Sequence, residues 1–417
     1  QSVPHLDGSH WRLQSQDSPR LANYWVNRRV RGDRVAISMR NYPEWILSFM
    51  AVTAVGGIAV AMNALWRPDE MAFGLSDSGA KLLIADQERL DRFADIDPVL
   101  NIQVIAVRPD TSIHPNLADL VKAYADVSEM PEQKPQPEDD ATLMYTSGST
   151  GNPKGVASCH INIVSALMSW ELDQTTAIAL LPEAPAEPEH PPATLLAVPL
   201  FHATGSHAVF LASYRHQRTL VAMYKWNAAE AAALIEAEKI TGFIAPAAMT
   251  GDLVLEANRS NLDLSSLLSV GGGGAPRAPD QVRNIEQSFS KAMPGTGWGM
   301  TETNAIGTGI GGQAYSDRPA SSGRCSAALQ LKTDDEDEET APPPVRKTPA
   351  EIAPYPPMQW HSWGLFTSED LVNEANMEEM AEAKSKGGEE EHRSGLVAVG
   401  SSHSTPIPLL FCAYLQG

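Results

Sequence analysis

The sequence predicts an α/β protein built from largely parallel sheets covered by helices. Three observations carry this expectation. Short apolar runs alternate with helical stretches along the first third of the chain. Two later apolar runs, Thr142–Tyr145 and Leu267–Val270, lead into glycine-rich turns, as strands do when the chain must bend sharply. The chain has 417 residues, 43% hydrophobic and 20% charged, enough for a large domain plus a smaller one.

Arg34-Val-Ala-Ile-Ser38 is a short apolar strand. A helix start follows at Asn41-Tyr-Pro-Glu44, with Pro43 in its first turn, where the missing amide proton costs nothing. Trp45 to Met62 carries no charge and is long enough to span a membrane. Gly56-Gly57 divides it, however, which predicts a helix over Pro43–Val55 and a buried strand over Ile58–Ala61. A helix over Arg67–Ser76 and strands over Lys81–Ala85 and Val104–Val107 continue the alternation. Val127–Asp140 is polar and proline-bearing, a surface linker. Thr142–Tyr145 is the next strand. Pro182–Pro192 holds five prolines and reads as an exposed loop. Then come a strand over Thr194–Pro199, an alanine-rich helix over Trp226–Lys239, and strands over Gly242–Ala245 and Leu267–Val270, the last ending in four glycines.

After about Gln330 the composition changes. Asp334–Glu339 is an unbroken acidic run, Ala341–Pro357 contains seven prolines, and Glu369–Glu391 is polar and acidic. Such segments bury too little apolar surface to offset chain entropy. The formal charge is -20, and Cys325–Gly417 holds 16 acids against 6 bases. This balance gives no footprint for nucleic acid and no basic patch for anionic lipid. Cys159, Cys325 and Cys412 are scattered and lack metal spacing, so neither a disulfide framework nor a zinc site is expected, and a reducing, cytoplasmic compartment fits. Gln1–His10 shows no signal-peptide pattern.

The strongest chemical signal is Tyr145-Thr-Ser-Gly-Ser-Thr-Gly-Asn-Pro-Lys-Gly155, after a strand and before an expected helix. Gly148, Gly151 and Gly155 let backbone amides approach an anion. Thr146, Ser147, Ser149 and Thr150 offer hydroxyl donors, and Lys154 adds a mobile positive charge. Together they form a phosphate cradle without Walker spacing. This segment resembles the phosphate-binding signature of the adenylate-forming superfamily, which includes acyl-CoA synthetases, firefly luciferase and peptide-synthetase adenylation domains. The resemblance runs from about Gly32 to Arg324. Gly32-Asp-Arg-Val-Ala36, Asn41-Tyr-Pro-Glu-Trp45 and Asp77-Ser-Gly-Ala-Lys81 are similar to that family's N-terminal subdomain.

Three more matching segments follow. In Pro199-Leu-Phe-His-Ala-Thr-Gly205, the resemblance places His202 near the acyl carboxylate, where an imidazole can donate to developing acyl-phosphate oxygens. In Ser269-Val-Gly-Gly-Gly-Gly-Ala-Pro276, it implies that Gly273, Gly274 and Ala275 line the adenine pocket and Pro276 shapes the turn. In Gly297-Trp-Gly-Met-Thr-Glu-Thr303, it sets Trp298 and Gly299 against adenine and Thr301 at the α-phosphate, and gives Mg²⁺ to Glu302 with Thr146. Trp298 and Thr303-Asn304 resemble medium- and long-chain fatty acyl-CoA synthetases.

The resemblance implies the N-terminal domain of the adenylate-forming enzymes over residues 1–325, followed by a divergent acidic, proline-rich tail over 326–417. It implies ATP, Mg²⁺ and CoA acting on a carboxylic, fatty acid: ATP gives acyl-AMP, then CoA gives the thioester. In Gly364-Leu-Phe-Thr-Ser-Glu-Asp370 the family's Thr-Gly pair is replaced by Ser368-Glu369, and Asp370 is the candidate for the ribose. The family continues with a hinge and a mobile C-terminal domain, and neither is recognisable in the 47 residues after Asp370. The competing expectation is a nucleotide- and acyl-binding pseudoenzyme or gene fragment.

Overall fold

The computed structural model describes residues 17–28, 30–96, 100–111, 113–132, 134–146, 152–182, 188–275, 277–327, 329–332 and 397–399. These divide into two units. The first holds the described residues up to Leu167 and from 188 to Gly323; the second holds Met168–Pro182 and those from Arg324 onward.

The first unit begins with α1 (Asp17–Asn27), β1 (Arg34–Ser38), α2 (Pro43–Ala54), β2 (Ile58–Ala61), α3 (Pro68–Ser78), β3 (Leu82–Asp86), α4 (Gln87–Ala94), β4 (Gln103–Val107) and α5 (Leu117–Ala123). β5 (Asp140–Thr146), β6 (Lys154–Cys159) and α6 (His160–Ala179) follow, α6 passing into the second unit at Met168. The first sheet runs β4-β3-β1-β2-β5-β6. Its members are parallel except for β6, which returns antiparallel to β5. β2 and β3 are buried at every position, which is why they read as continuous apolar runs rather than alternating ones. Leu83, Ala85, Val60 and Ala36 join Trp66, Met71 and Leu75 in one core. Burying each larger aliphatic side chain there stabilises the fold by roughly 1.5–3 kcal/mol.

The uncharged Trp45–Met62 stretch resolves into α2 and β2, as Gly56-Gly57 predicts. Among the described residues no helix is long and apolar enough to cross a membrane.

The second sheet of this unit takes β7 (Ala193–Leu196), β8 (Thr219–Ala222), β9 (Gly242–Ile244), β10 (Ser269–Gly271), β11 (Met293–Gly299) and β12 (Gly307–Gly311), in the order β12-β11-β10-β9-β7-β8. β8, β7, β9, β10 and β11 are parallel; β11 and β12 form an antiparallel hairpin. Helices α7 (Ala212–Arg215), α8 (Ala228–Glu238), α9 (Ala247–Arg259) and α10 (Pro279–Ser288) accompany these strands, and α11 (Gln313–Asp317) follows β12. Asn227 caps α8 by accepting the Glu230 amide at 3.0 Å, so the helix starts two residues after Trp226. Phe243, Leu195 and Val270 lie at the centre of this sheet's core, against Leu253, Ile285 and Ile235.

One expectation is corrected. The segment after the phosphate cradle is a strand, not a helix: Lys154–Cys159 pairs with β5 before α6 starts at His160. Backbone pairing to β5 decides the matter, because alternate residues of Lys154–Cys159 satisfy their polar groups across the antiparallel ladder. In the second unit, Gln330–Lys332 pairs antiparallel with Val397–Val399.

Candidate active site

The two ends of the cradle segment lie on paired strands. Tyr145 faces Gly155 and Thr146 faces Lys154 across β5 and β6. The Thr146 hydroxyl donates to the Lys154 carbonyl at 3.4 Å, a long bond at the hairpin mouth. Ser147, Gly148, Ser149, Thr150 and Gly151 lie outside the described residues. The base of the loop is fixed from below. The Tyr145 hydroxyl donates to Asp77 Oδ2 at 2.7 Å and reaches the Gly74 carbonyl at 3.2 Å, and its ring meets Trp66 edge-on at 5.2 Å. Burial, then the Asp77 carboxylate, push the Tyr145 phenol up and hold it neutral. The Asp77 motif and the cradle motif, 68 residues apart, therefore form one support.

Lys154 is exposed, and its ammonium has no ion-pair partner among the described residues. Glu302 is likewise exposed and unpaired among them. The turn that carries Glu302 is built tightly. Thr301–Thr303 is one 3₁₀ turn, closed where the Met300 amide donates to Thr303 Oγ1 at 3.1 Å and the Asn304 amide donates to the Thr301 carbonyl at 3.0 Å. Asn304 takes φ 55°, a left-handed conformation that Asn tolerates better than most residues. This turn packs against β6, the strand that Lys154 begins.

The glycine run and the tryptophan motif are also neighbours. Beyond the last β10–β11 pair, the Gly297 amide donates to the Gly272 carbonyl at 2.9 Å, which lays Gly272–Gly274 alongside Gly297–Trp298. Trp298 is half-buried and pairs with Thr308 across the hairpin. Gly273 is half-buried, and Gly274 and Ala275 are exposed. Pro276 and Asp370 lie outside the described residues. The sequence reading passed over Arg277. Its guanidinium is buried and donates to the carbonyls of Gly295 (3.0 Å) and Gly271 (3.3 Å) and to Thr250 Oγ1 (3.1 Å), tying β10, β11 and α9 together. Burial, with no carboxylate among its bonded partners, lowers its pKa.

His202 follows β7. Its amide donates to the Pro199 carbonyl at 3.1 Å, and its ring lies 4.7 Å from that of Phe201. The imidazole keeps solvent access, yet the surrounding protein desolvates it enough to lower its pKa. Gly205 is required here, because a Cβ would collide with the Pro199 carbonyl. Gly205 lies in a π-helical segment, Thr204–Leu211.

His202, Gly273 and Trp298 thus emerge from the C-terminal ends of β7, β10 and β11, all parallel in one sheet. Ligands of open α/β sheets bind outside those ends. No three His, Cys, Asp or Glu side chains gather as a metal set among the described residues.

The chain is similar to known proteins in sequence and in fold. The chain is 30% identical over 283 residues to 4-coumarate:CoA ligase 1 of Petunia hybrida, covering 66% of this chain and 48% of that protein. It therefore spans about half the length of the curated relatives it matches. The inhibitor-bound N-terminal domain of FACL13 from Mycobacterium tuberculosis superposes with a TM-score of 0.66 at 25% identity, covering 77% of this chain and 76% of that one. A long-chain-fatty-acid-CoA ligase (FadD1) from Archaeoglobus fulgidus shares the fold with a TM-score of 0.67 at 22% identity, covering 78% and 63%. The profile of the family described as AMP-binding enzyme matches residues 13–352, and the chain belongs to that family.

Proposed function

We propose that this chain is an AMP-forming acid–CoA ligase acting on a fatty acid. The acid's carboxylate attacks the α-phosphorus of ATP, pyrophosphate leaves, and acyl-AMP forms. The CoA thiol then displaces AMP to give the thioester. One observation carries the reading: the turn holding Thr301 and Glu302 packs against the strand that Lys154 begins, with both charged groups uncommitted.

Both reacting partners are anions, so catalysis is mainly positioning and charge neutralisation. Lys154 and the hydroxyls and amides of the cradle, Thr146 to Gly151, would bind the phosphates. Glu302 and Thr146 would hold Mg²⁺, which neutralises phosphate charge when bound. Trp298, Gly299, Gly273, Gly274, Ala275 and Pro276 would receive adenine, Thr301 the α-phosphate, and Asp370 the ribose. His202 would donate to the oxygens where acyl and phosphoryl groups meet. The ATP- and acyl-binding domain is assigned to residues 1–325, with 326–417 as a separate tail, and the protein to the cytoplasm.

Acid-dependent exchange of labelled pyrophosphate into ATP tests adenylation, and thioester formation tests the second half. Assays with fatty acids of increasing length beside 4-coumarate test the acid. Exchange with 4-coumarate alone would replace the fatty acid. ATP binding without exchange for any acid would favour a nucleotide-binding pseudoenzyme.

A further inference from the structure

We propose that Asn41 is a positioning residue for His202, setting the imidazole that faces the acyl carboxylate. The inference rests on the reading of His202 given above. Asn41 follows β1 in the first sheet, and His202 follows β7 in the second. The Asn41 side chain crosses between them. Its Nδ2 donates to the Val198 carbonyl at 3.1 Å, and its Oδ1 accepts the Leu200 amide at 2.9 Å. One carboxamide thereby takes a donor and an acceptor two residues apart, as a neighbouring strand would.

The residue between those two contacts is Pro199, which has no amide proton. Its carbonyl accepts the His202 amide and sits against Gly205. The turn that aims His202 is therefore held at its base by Asn41 and closed at its top by Gly205. Asn41 is buried, 6% exposed, and Asn41 is the bonded partner of the Leu200 amide and the Val198 carbonyl. Removing the amide orphans both buried groups, and they regain partners only if the turn moves. Asn41 acts through the backbone of Val198–Leu200.

The test uses the full chain carrying ¹⁵N-labelled histidine, with the His202 resonance assigned by its loss in His202→Gln. In Asn41→Ala the His202 ring resonance shifts, and the cross-relaxation between the Phe201 and His202 rings weakens. The buried His207 ring keeps its resonance. An unchanged His202 resonance and ring contact overturns the proposal, whatever happens to stability. Asn41→Asp keeps the shape and the acceptor for Leu200 but turns an oxygen toward the Val198 carbonyl. It gives the same readout if the alanine variant does not fold.

Kinetics separates this proposal from the reading beneath it. In pyrophosphate exchange, Asn41→Ala lowers kcat/KM for the acid by about tenfold or more, while KM for ATP changes by less than about twofold. A displaced His202 ring with unchanged acid kinetics would confirm the positioning and reject His202's place at the carboxylate.

Discussion

Thr146 and Lys154 face each other across the β5–β6 pair, so one backbone pair sets the distance between the two ends of the cradle segment. The turn bearing Glu302 packs on that same β6 strand. Neither charged side chain has a partner among the described residues, as expected of groups waiting for a charged ligand.

Lys154→Ala and Glu302→Ala should each lower acid-dependent pyrophosphate exchange by about 10²-fold or more, the usual cost of losing one preorganised charge-stabilising group. Both side chains are exposed, so thermal stability should stay within about 0.5 kcal/mol of the parent. Steady-state exchange with thermal melts measures both. Unchanged exchange in both variants removes these roles.

Gly307 sits opposite Gly299, where an added Cβ would collide with the Trp298 carbonyl and come within 2.7 Å of its ring. Gly307→Ala should displace Trp298, cost about 1–3 kcal/mol of stability and raise KM for ATP. Gly309, two residues on, has nothing within 4 Å of an added Cβ. Gly309→Ala should leave stability within about 0.5 kcal/mol and ATP use intact. Equal effects from the two substitutions would show that Trp298 does not contact the nucleotide.

The motifs of the proposed site are legible in the sequence because they are local. The cradle, the glycine run and the Trp298 segment each need particular residues at adjacent positions. β1, β2 and β3 are legible for another reason: their central residues are buried on both faces and read as short apolar runs. β6 is not. Lys-Gly-Val-Ala-Ser-Cys is mostly exposed or half-buried and has weak strand propensity; only its pairing to β5 makes it a strand. β11 is concealed in the same way, since three of its seven residues are glycine and its order comes from β10 and β12 on either side. Asn41 reads locally as a helix start. Its bonding to Val198 and Leu200 depends on chain 157 and 159 residues away, beyond the reach of any periodicity. Arg277 is hidden because its partners, Gly271, Gly295 and Thr250, sit on three different elements.

Arg89 tests the first sheet rather than the site. It is 1% exposed; its Nη1 lies 3.1 and 3.0 Å from the two Asp86 oxygens, and its Nε and Nη2 both donate to the Ala64 carbonyl at 2.8 Å. Arg89→Ala leaves the Asp86 carboxylate buried without its cation, which should cost about 3–5 kcal/mol. Urea unfolding measures it. A loss below about 1 kcal/mol, the range of exposed pairs, would mean that water reaches Asp86 in the folded protein.

His207 gives the fold a pH dependence of known sign. The ring is fully buried, with Nδ1 3.1 Å from Ser206 Oγ and no partner for Nε2 among the described residues. Burial lowers its pKa from 6.5 to about 4, while a hydrogen bond to the Ala203 backbone opposes the shift. The folded protein therefore refuses a proton that the unfolded chain accepts. This contribution is fully present above pH 6.5, falls as pH drops from 6.5 toward 4, and levels off below. One such ring costs about 2 kcal/mol by pH 5. His160 is also lowered to about 4, mainly by burial, and adds a loss of the same sign. Urea midpoints between pH 7 and pH 5 should fall in the parent, and fall less steeply in His207→Gln, whose side chain does not titrate. Parallel slopes in the two proteins would show that the His207 ring takes up its proton as readily in the folded state as in the unfolded one.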